Sequence, residues 1–314
     1  IIIGEKWGGL SSFLTYALAR AQFPYKVTRL VVNDNGYSRE HLVSVFKKLL
    51  ENDEFEEVTD IITYLNEVPH RIIVLEDIQN LFLRKIYGFE ALQCLFQLIN
   101  QTYKNIFWIA STTAYSWTYL TKTVNINEYF SYAITLKSLT DEQINSLIWK
   151  RNRISGFKIL FEADAMQVNQ RSFKKLNYEQ QQIELKKKYF SDLNAFAKSN
   201  ISLALIYWLL STREIDDTSI TIGTFKKPNL NFISMLSADK LYALHALILH
   251  DGLNLEQLSI VMQKSKMATE LIILALLEDG VVIKKGLGNA MCGLHLESPF
   301  RMLDKRIADN DHES

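Results

Sequence analysis

The chain opens IIIGEKWGGLSS, three β-branched residues, a glycine-rich turn and then a helix-forming run. Gly4, Gly9 and Ser11 stand at the spacing G-x-x-x-x-G-K-[ST]. In such a loop the glycines let backbone N–H groups converge on phosphate oxygens, a helix N-terminus faces the anion, and a lysine bridges the outer phosphates. Here Leu10 holds the lysine position, and Lys6 lies within the loop at a place that points elsewhere in the usual geometry. The chemistry on offer is phosphate binding by Gly4, Lys6, Gly8, Gly9, Leu10, Ser11 and Ser12. The alternative is an ordinary strand-to-helix turn that holds no ligand.

Two further groups could share that chemistry. RIIVLED ends an apolar run in Glu76 and Asp77, which places two carboxylates at the carboxyl end of a strand, where a metal-bound phosphate would lie. NIFWIASTT ends in Ser111, Thr112 and Thr113, hydroxyls able to hydrogen-bond an attacking water or a terminal phosphate. Each group has a plain reading beside it: a strand running into a polar loop, and ordinary strand-end caps.

These residues need a scaffold, and the first part of the chain supplies one. IIIG, VTRLVVND, RIIVLED, NIFWIAST and YAITL read as short apolar strands, and LSSFLTYALARAQF, SREHLVSVFKKLLEN and GFEALQCLFQLINQTY as helices between them, the second opened by Ser38 as its cap. Apolar strands alternating with helices predict a parallel sheet covered on both faces. From Ser138 strands nearly vanish: SLTDEQINSLIWKRNRI starts with a Thr140–Gln143 capping box, QRSFKKLNYEQQQIELKKKYFSDLNAFAKSN reads as exposed helix, and ISLALIYWLLST as buried helix. REIDDTSITIGTFKKPN reads as a polar linker with one short strand. Three helices (SADKLYALHALILHDG, NLEQLSIVMQ, SKMATELIILALLEDG) and a hairpin with a glycine-rich tip then make a winged helix.

Composition narrows the partners. With 48% apolar and 22% charged residues and a net charge of zero over 314 residues, no global field draws the protein to nucleic acid or an acidic membrane. Cys94 and Cys292 lie far apart in apolar runs and read as reduced core residues of a cytoplasmic protein. No run approaches the ~18 apolar residues that span a bilayer. The chain begins on a strand without methionine and is expected to be a piece of a longer protein. The six histidines have no spacing suited to a metal or a catalytic triad and are given no role.

In its order of elements the sequence resembles the AAA+ class of P-loop ATPases, in the origin-recognition and STAND-like branch where a helical lid precedes a winged helix. The resemblance implies a P-loop α/β domain at 1–137, a helical lid at 138–215 and a winged-helix domain at 216–314. It implies ATP or ADP with Mg²⁺ as ligand. Ser11 and Glu76 would then lie at the metal, Glu76, Asp77 and Thr112 would be the catalytic set, and KSNISLALIYW would be the helix start that carries a sensor arginine.

The chain departs from that pattern in three places. Leu10 replaces the lysine, Glu76 and Asp77 stand where the family has aspartate and glutamate, and Ser202 or a neighbour stands where an arginine is expected. The missing lysine removes a charge-assisted contact of roughly 1.5–3 kcal/mol and positive charge needed in phosphoryl transfer. Arg84, Arg151 and Arg153 are candidates to compensate. The expected function is thus a degenerate AAA+-like nucleotide switch or assembly domain with weak or absent hydrolysis. The alternatives are a winged-helix DNA-binding ATPase of origin-recognition type and a scaffold without ligand. Lys264, Lys266, Lys284 and Lys285 are the basic residues of the third helix and wing, few enough that DNA binding should be weak; a protein partner or self-association is expected instead.

Overall fold

The structure is a computed structural model that describes residues 1–198, 200–228, 231–285 and 293–296. They group into two units, residues 1–136 with the described part of 235–297, and residues 137–234. The first unit begins β1 (Ile2–Gly4), α1 (Leu10–Arg20), β2 (Lys26–Val31), α2 (Arg39–Leu50), α3 (Val58–Glu67), β3 (Arg71–Glu76), α4 (Glu90–Thr102), β4 (Ile106–Thr113), α5 (Ala114–Val124) and β5 (Ile134–Thr135). All five strands are parallel, in the order β2-β3-β4-β1-β5. This is a P-loop-type α/β sheet, with β1 between β4 and β5 and a glycine turn leading from β1 into α1. The chain leaves β1 for the far edge and works back, so loops at the carboxyl ends of β1, β3 and β4 meet along one rim.

Burial follows the sequence pattern. Ile72, Ile73, Val74 and Leu75 of the inner strand β3 are all buried, which an unbroken apolar run requires. Leu42, Phe46 and Leu49 of α2, Ile61 and Leu65 of α3, and Leu92, Leu95 and Leu98 of α4 pack in the same core. The strands β2 and β5 are edges and are only partly covered, with Ile134 at 54% exposure. Residues 58–67 and 114–124, to which the sequence reading gives no element, are helices. Both are rich in β-branched residues, which lowers intrinsic helix propensity. Each is started by a cap: Glu57 with Asp60 for α3, and Thr113, accepting from the Ser116 N–H, for α5.

The second unit holds α6 (Asp141–Ser155), β6 (Lys158–Phe161), α7 (Ala165–Asn169), α8 (Arg171–Lys174), α9 (Tyr178–Ala197), α10 (Ile201–Leu210), β7 (Thr212–Ile215) and β8 (Ser219–Ile222). Strands do not vanish here. β8 pairs in parallel with β6 and antiparallel with β7, so SITI belongs to this unit's sheet and not to a linker. The expected Thr140–Gln143 capping box is present. Helix α10 buries Ala204, Tyr207 and Trp208 but leaves Leu209 exposed, so it is covered on one side and not all round.

The chain then returns to the first unit with α11 (Ala238–Leu249), β9 (Leu253–Asn254), α12 (Leu255–Met262), α13 (Lys266–Glu278), β10 (Val282–Lys285) and β11 (Gly293–Leu296). β10 and β11 form an antiparallel pair, and β9 joins it beside β11. The glycine-rich tip between β10 and β11, Cys292 and His312 lie outside the described residues.

Phe46 is fully buried and meets Trp108 edge-on at 6.1 Å, whereas Phe107 on β4 is 62% exposed. Phe46→Ala is expected to cost ~3–5 kcal/mol in urea unfolding, and Phe107→Ala to stay within ~0.5 kcal/mol. Equal effects would mean that the core is placed wrongly.

Candidate functional site

The glycine turn sits where the sequence puts it. β1 ends at Gly4, which is level with Thr113 of β4. The Gly8 N–H donates to the Glu5 carbonyl at 2.9 Å. The turn needs left-handed backbone at Trp7 (φ 61°) and Gly9 (φ 90°). Glycine takes that conformation freely, while a tryptophan held there costs about 1–2 kcal/mol. No side chain caps α1, whose N-cap is Gly9, so its first N–H groups and positive dipole end are left to solvent or an anion. Ser11 and Ser12 are exposed on this first turn.

Leu10 turns back onto the base of the loop. Its Cβ and Cδ1 lie 3.4 Å from the place a Gly4 Cβ would take, and Leu136 Cδ1 lies 3.5 Å from it. The position that carries lysine in an intact phosphate loop here supplies an apolar contact. The loop's lysine, Lys6, forms an ion pair with Asp251 in the turn after α11 and lies 5.3 Å from the Trp7 ring centroid.

Glu76 is buried at the end of β3. Its Oε1 accepts from Arg29 Nε at 2.5 Å, and the same guanidinium donates through Nη1 to Thr15 Oγ1 at 2.9 Å, with Nη2 3.5 Å from the Ser11 carbonyl. Arg29 of β2 therefore ties the carboxylate to the first turns of α1. Its signal in the sequence is a cation set among the apolar residues of a strand, with nothing nearby to mark its partner. The other carboxylate oxygen, Oε2, is buried without a partner. A Mg²⁺ ion at Ser11 and Glu76 does not fit this arrangement. The ion needs oxygen lone pairs in an octahedral shell, and one carboxylate oxygen already serves a guanidinium. A dication beside that guanidinium would also meet its positive charge, which offsets the attraction of the carboxylate.

Asp77 follows in left-handed backbone (φ 60°). Its N–H donates to Ser111 Oγ at 3.2 Å, and its Oδ1 accepts from Gln79 Nε2 at 3.1 Å. Burial pushes its carboxyl above the ordinary range; the Gln79 hydrogen bond opposes this, the Glu76 charge adds to it, and Lys6 opposes it again. Strand alternation puts Thr112 on the face opposite Ser111 and Thr113. Thr112 is fully buried and its hydroxyl lacks a partner, while Ser111 meets Asp77 and Thr113 caps α5.

The rim is closed by the turn between α11 and β9. The Ser116 hydroxyl donates to the Leu249 carbonyl at 2.8 Å, Asn35 Nδ2 to the Gly252 carbonyl at 2.6 Å, and the Arg84 N–H to His250 Nε2 at 3.3 Å. Arg84 also lies against His245 Nδ1 at 3.2 Å and over the Tyr242 ring, so its guanidinium is engaged with α11. Two histidines without a role in the sequence reading thus join the α/β layer to α11. Arg151, Arg153 and Ser202 belong to the other unit, Arg151 and Arg153 exposed on α6 and Ser202 half-buried on α10.

No family model matches the chain. No curated protein matches it. Among solved structures, the Aeropyrum pernix ORC1 protein in complex with DNA aligns over 99% of this chain and 86% of its own, at 11% identity and a TM-score of 0.45. The Aeropyrum pernix ORC2 protein in its ADP form aligns over 98% and 86%, at 9% identity and a TM-score of 0.42. Cdc6p from Pyrobaculum aerophilum aligns over 98% and 86%, at 12% identity and a TM-score of 0.39. Among the described residues, no helix is long and apolar enough to cross a membrane.

His250 is fully buried 4.8 Å from the Phe82 ring, and burial, with the charges of Arg84 and His245, lowers its pKa to about 3. The unfolded chain would bind the proton near 6.5, so this contribution is complete above ~6.5 and is lost progressively as pH falls toward 3. His250→Gln, which keeps an acceptor for the Arg84 N–H, is expected to reduce the fall in unfolding free energy between pH 6.5 and 5 by up to ~1.4 kcal/mol per pH unit. Identical slopes for variant and parent would show that the imidazole is not held neutral.

Proposed function

We propose that the chain is a degenerate AAA+-type nucleotide module. It holds an adenine nucleotide at the glycine turn without turning it over, and it reports occupancy to its C-terminal segment. The observation that carries this reading is the ion pair between Lys6 of the loop and Asp251 of the turn after α11. Phosphate at the uncapped start of α1 would compete with Asp251 for Lys6, which links ligand binding to the docking of α11. The glycine turn and helix start support binding. Leu10 on Gly4 and Arg29 on Glu76 support absent hydrolysis, because an apolar side chain holds the lysine position and the metal-side carboxylate is committed to a guanidinium.

For the C-terminal segment, a protein partner fits better than DNA. Helix α13 exposes Met267, Leu271 and Leu274 along one stripe, together with Glu270 and Glu278, while Lys264 is paired with Asp239 at 3.1 Å. A helix that reads DNA needs cations and amides on that face. We assign the protein-contact role to this segment on that ground, and the winged-helix reading on its order of three helices followed by an antiparallel pair.

Thermal shift with ADP and ATP tests the reading. Saturating nucleotide at about 100 Kd should stabilise the protein by ~2.7 kcal/mol, while turnover stays far below ~1 per second. Leu10→Lys restores a charge-assisted contact of ~1.5–3 kcal/mol, so ADP should bind at least about tenfold tighter. No shift with either nucleotide, or turnover near one per second, would sink the proposal.

A further inference from the structure

We propose that Arg29 is a built-in substitute for a divalent metal: its guanidinium neutralises Glu76 and fixes positive charge at the start of α1, so that the loop takes the phosphate of its ligand without a metal ion. The ligand's identity rests on the nucleotide reading above; the exclusion of metal does not.

The geometry carries the inference. A metal at such a loop would be held by a strand-end carboxylate and a hydroxyl of the helix that follows, where it would supply positive charge beside the phosphate. Arg29 spans those same two elements, with Nε on Glu76 Oε1 at 2.5 Å, Nη1 on Thr15 Oγ1 at 2.9 Å and Nη2 near the Ser11 carbonyl at 3.5 Å. The carboxylate side chain is 1% exposed and the arginine side chain 30%, so the anion is enclosed while the cation keeps one side toward solvent. Guanidinium does not lose its proton in proteins, and its planar fork holds several acceptors at once. Burying Glu76 without it would leave an uncompensated carboxylate.

The remaining oxygen, Oε2, has no partner. A dication there would share its carboxylate with the guanidinium and face that group's positive charge, which weakens its hold. Ser11 offers Arg29 its carbonyl, which also accepts from the Thr15 hydroxyl at 2.7 Å. Three of the oxygens around Arg29 are thus already used as acceptors in a closed network. A dication at Oε2 would sit against the Arg29 charge, whereas an anion would be attracted to the exposed part of the guanidinium.

Two measurements on the purified chain decide the point. The first is the affinity for a fluorescent mant-ADP in EDTA and in 5 mM Mg²⁺. The second is Mn²⁺ titration without nucleotide, followed by electron paramagnetic resonance, on the parent, Arg29→Gln and Arg29→Gln/Glu76→Gln. The expected result is mant-ADP affinity equal within twofold in the two buffers and no Mn²⁺ bound by the parent at 1 mM. Arg29→Gln should gain Mn²⁺ binding that the double variant lacks. A tenfold or greater gain from Mg²⁺, or stoichiometric Mn²⁺ on the parent, overturns the proposal, as does a folded Arg29→Gln that binds no Mn²⁺. If mant-ADP binds in neither buffer, the nucleotide reading fails, and Mn²⁺ titration of the parent alone decides the metal question. That arm also stands if Arg29→Gln does not fold.

Discussion

An ionised carboxylate placed at the end of an inner strand must be neutralised where it is buried, and the Arg29–Glu76 pair does this. Glu76 is fully buried, and the cost of taking a carboxylate out of water reaches several kcal/mol unless a partner sits beside it. The partner comes from the neighbouring strand, 47 positions earlier in the chain, and reaches up to α1 through Thr15. One guanidinium therefore sets the register of the helix start against the sheet. Such a pair adds little net stability compared with apolar side chains of the same volume, yet removing one member costs ~3–5 kcal/mol. Its effect is specific placement: the glycine turn before α1 is held over the rim by the same network.

That dependence explains what the sequence disclosed and what it hid. Strand–turn–helix order, the glycine spacing and the caps at Ser38 and Thr140 are local features, each readable within a few residues. Helices α3 and α5 were hidden because VTDIITYL and the threonine-rich run after Thr113 have strand-like composition, which packing overrides. β6 and β8 pair in parallel across about sixty residues, and periodicity in so short a strand carries no trace of its partner. The site divides the same way. The loop and the two carboxylates were legible; Arg29 and Asp251 were not, because their meaning lies in partners 47 and 245 residues away.

The turn after α11 shows how a non-local contact can change the role of residues that look inert. His250 accepts a hydrogen bond from the Arg84 N–H through Nε2, which fixes that nitrogen as unprotonated, and the ring lies close to Phe82. Ser116, which takes part in the capping of α5, also holds the Leu249 carbonyl. The end of α5 nearest the sheet rim and the end of α11 thus share a hydrogen bond. Movement of the 249–252 turn would break contacts to three separate loops of the α/β layer at once, which makes the docked arrangement cooperative.

The two ion pairs at the rim differ in how easily a ligand can replace them. Lys6 and Asp251 have side chains 34% and 25% exposed, and a pair so open to water contributes about 1 kcal/mol or less. A phosphate beside the helix start can match that attraction, since it gains backbone N–H groups and the helix dipole as well. The Arg29–Glu76 pair, with its carboxylate enclosed, offers no such exchange: removing Arg29 strands a buried charge and loses the hydrogen bond to Thr15. Of these two pairs, the Asp251 carboxylate is therefore the exchangeable anion and the Arg29 guanidinium the fixed cation. An anionic ligand that displaces the first while leaving the second in place would loosen the C-terminal turn without disturbing the sheet.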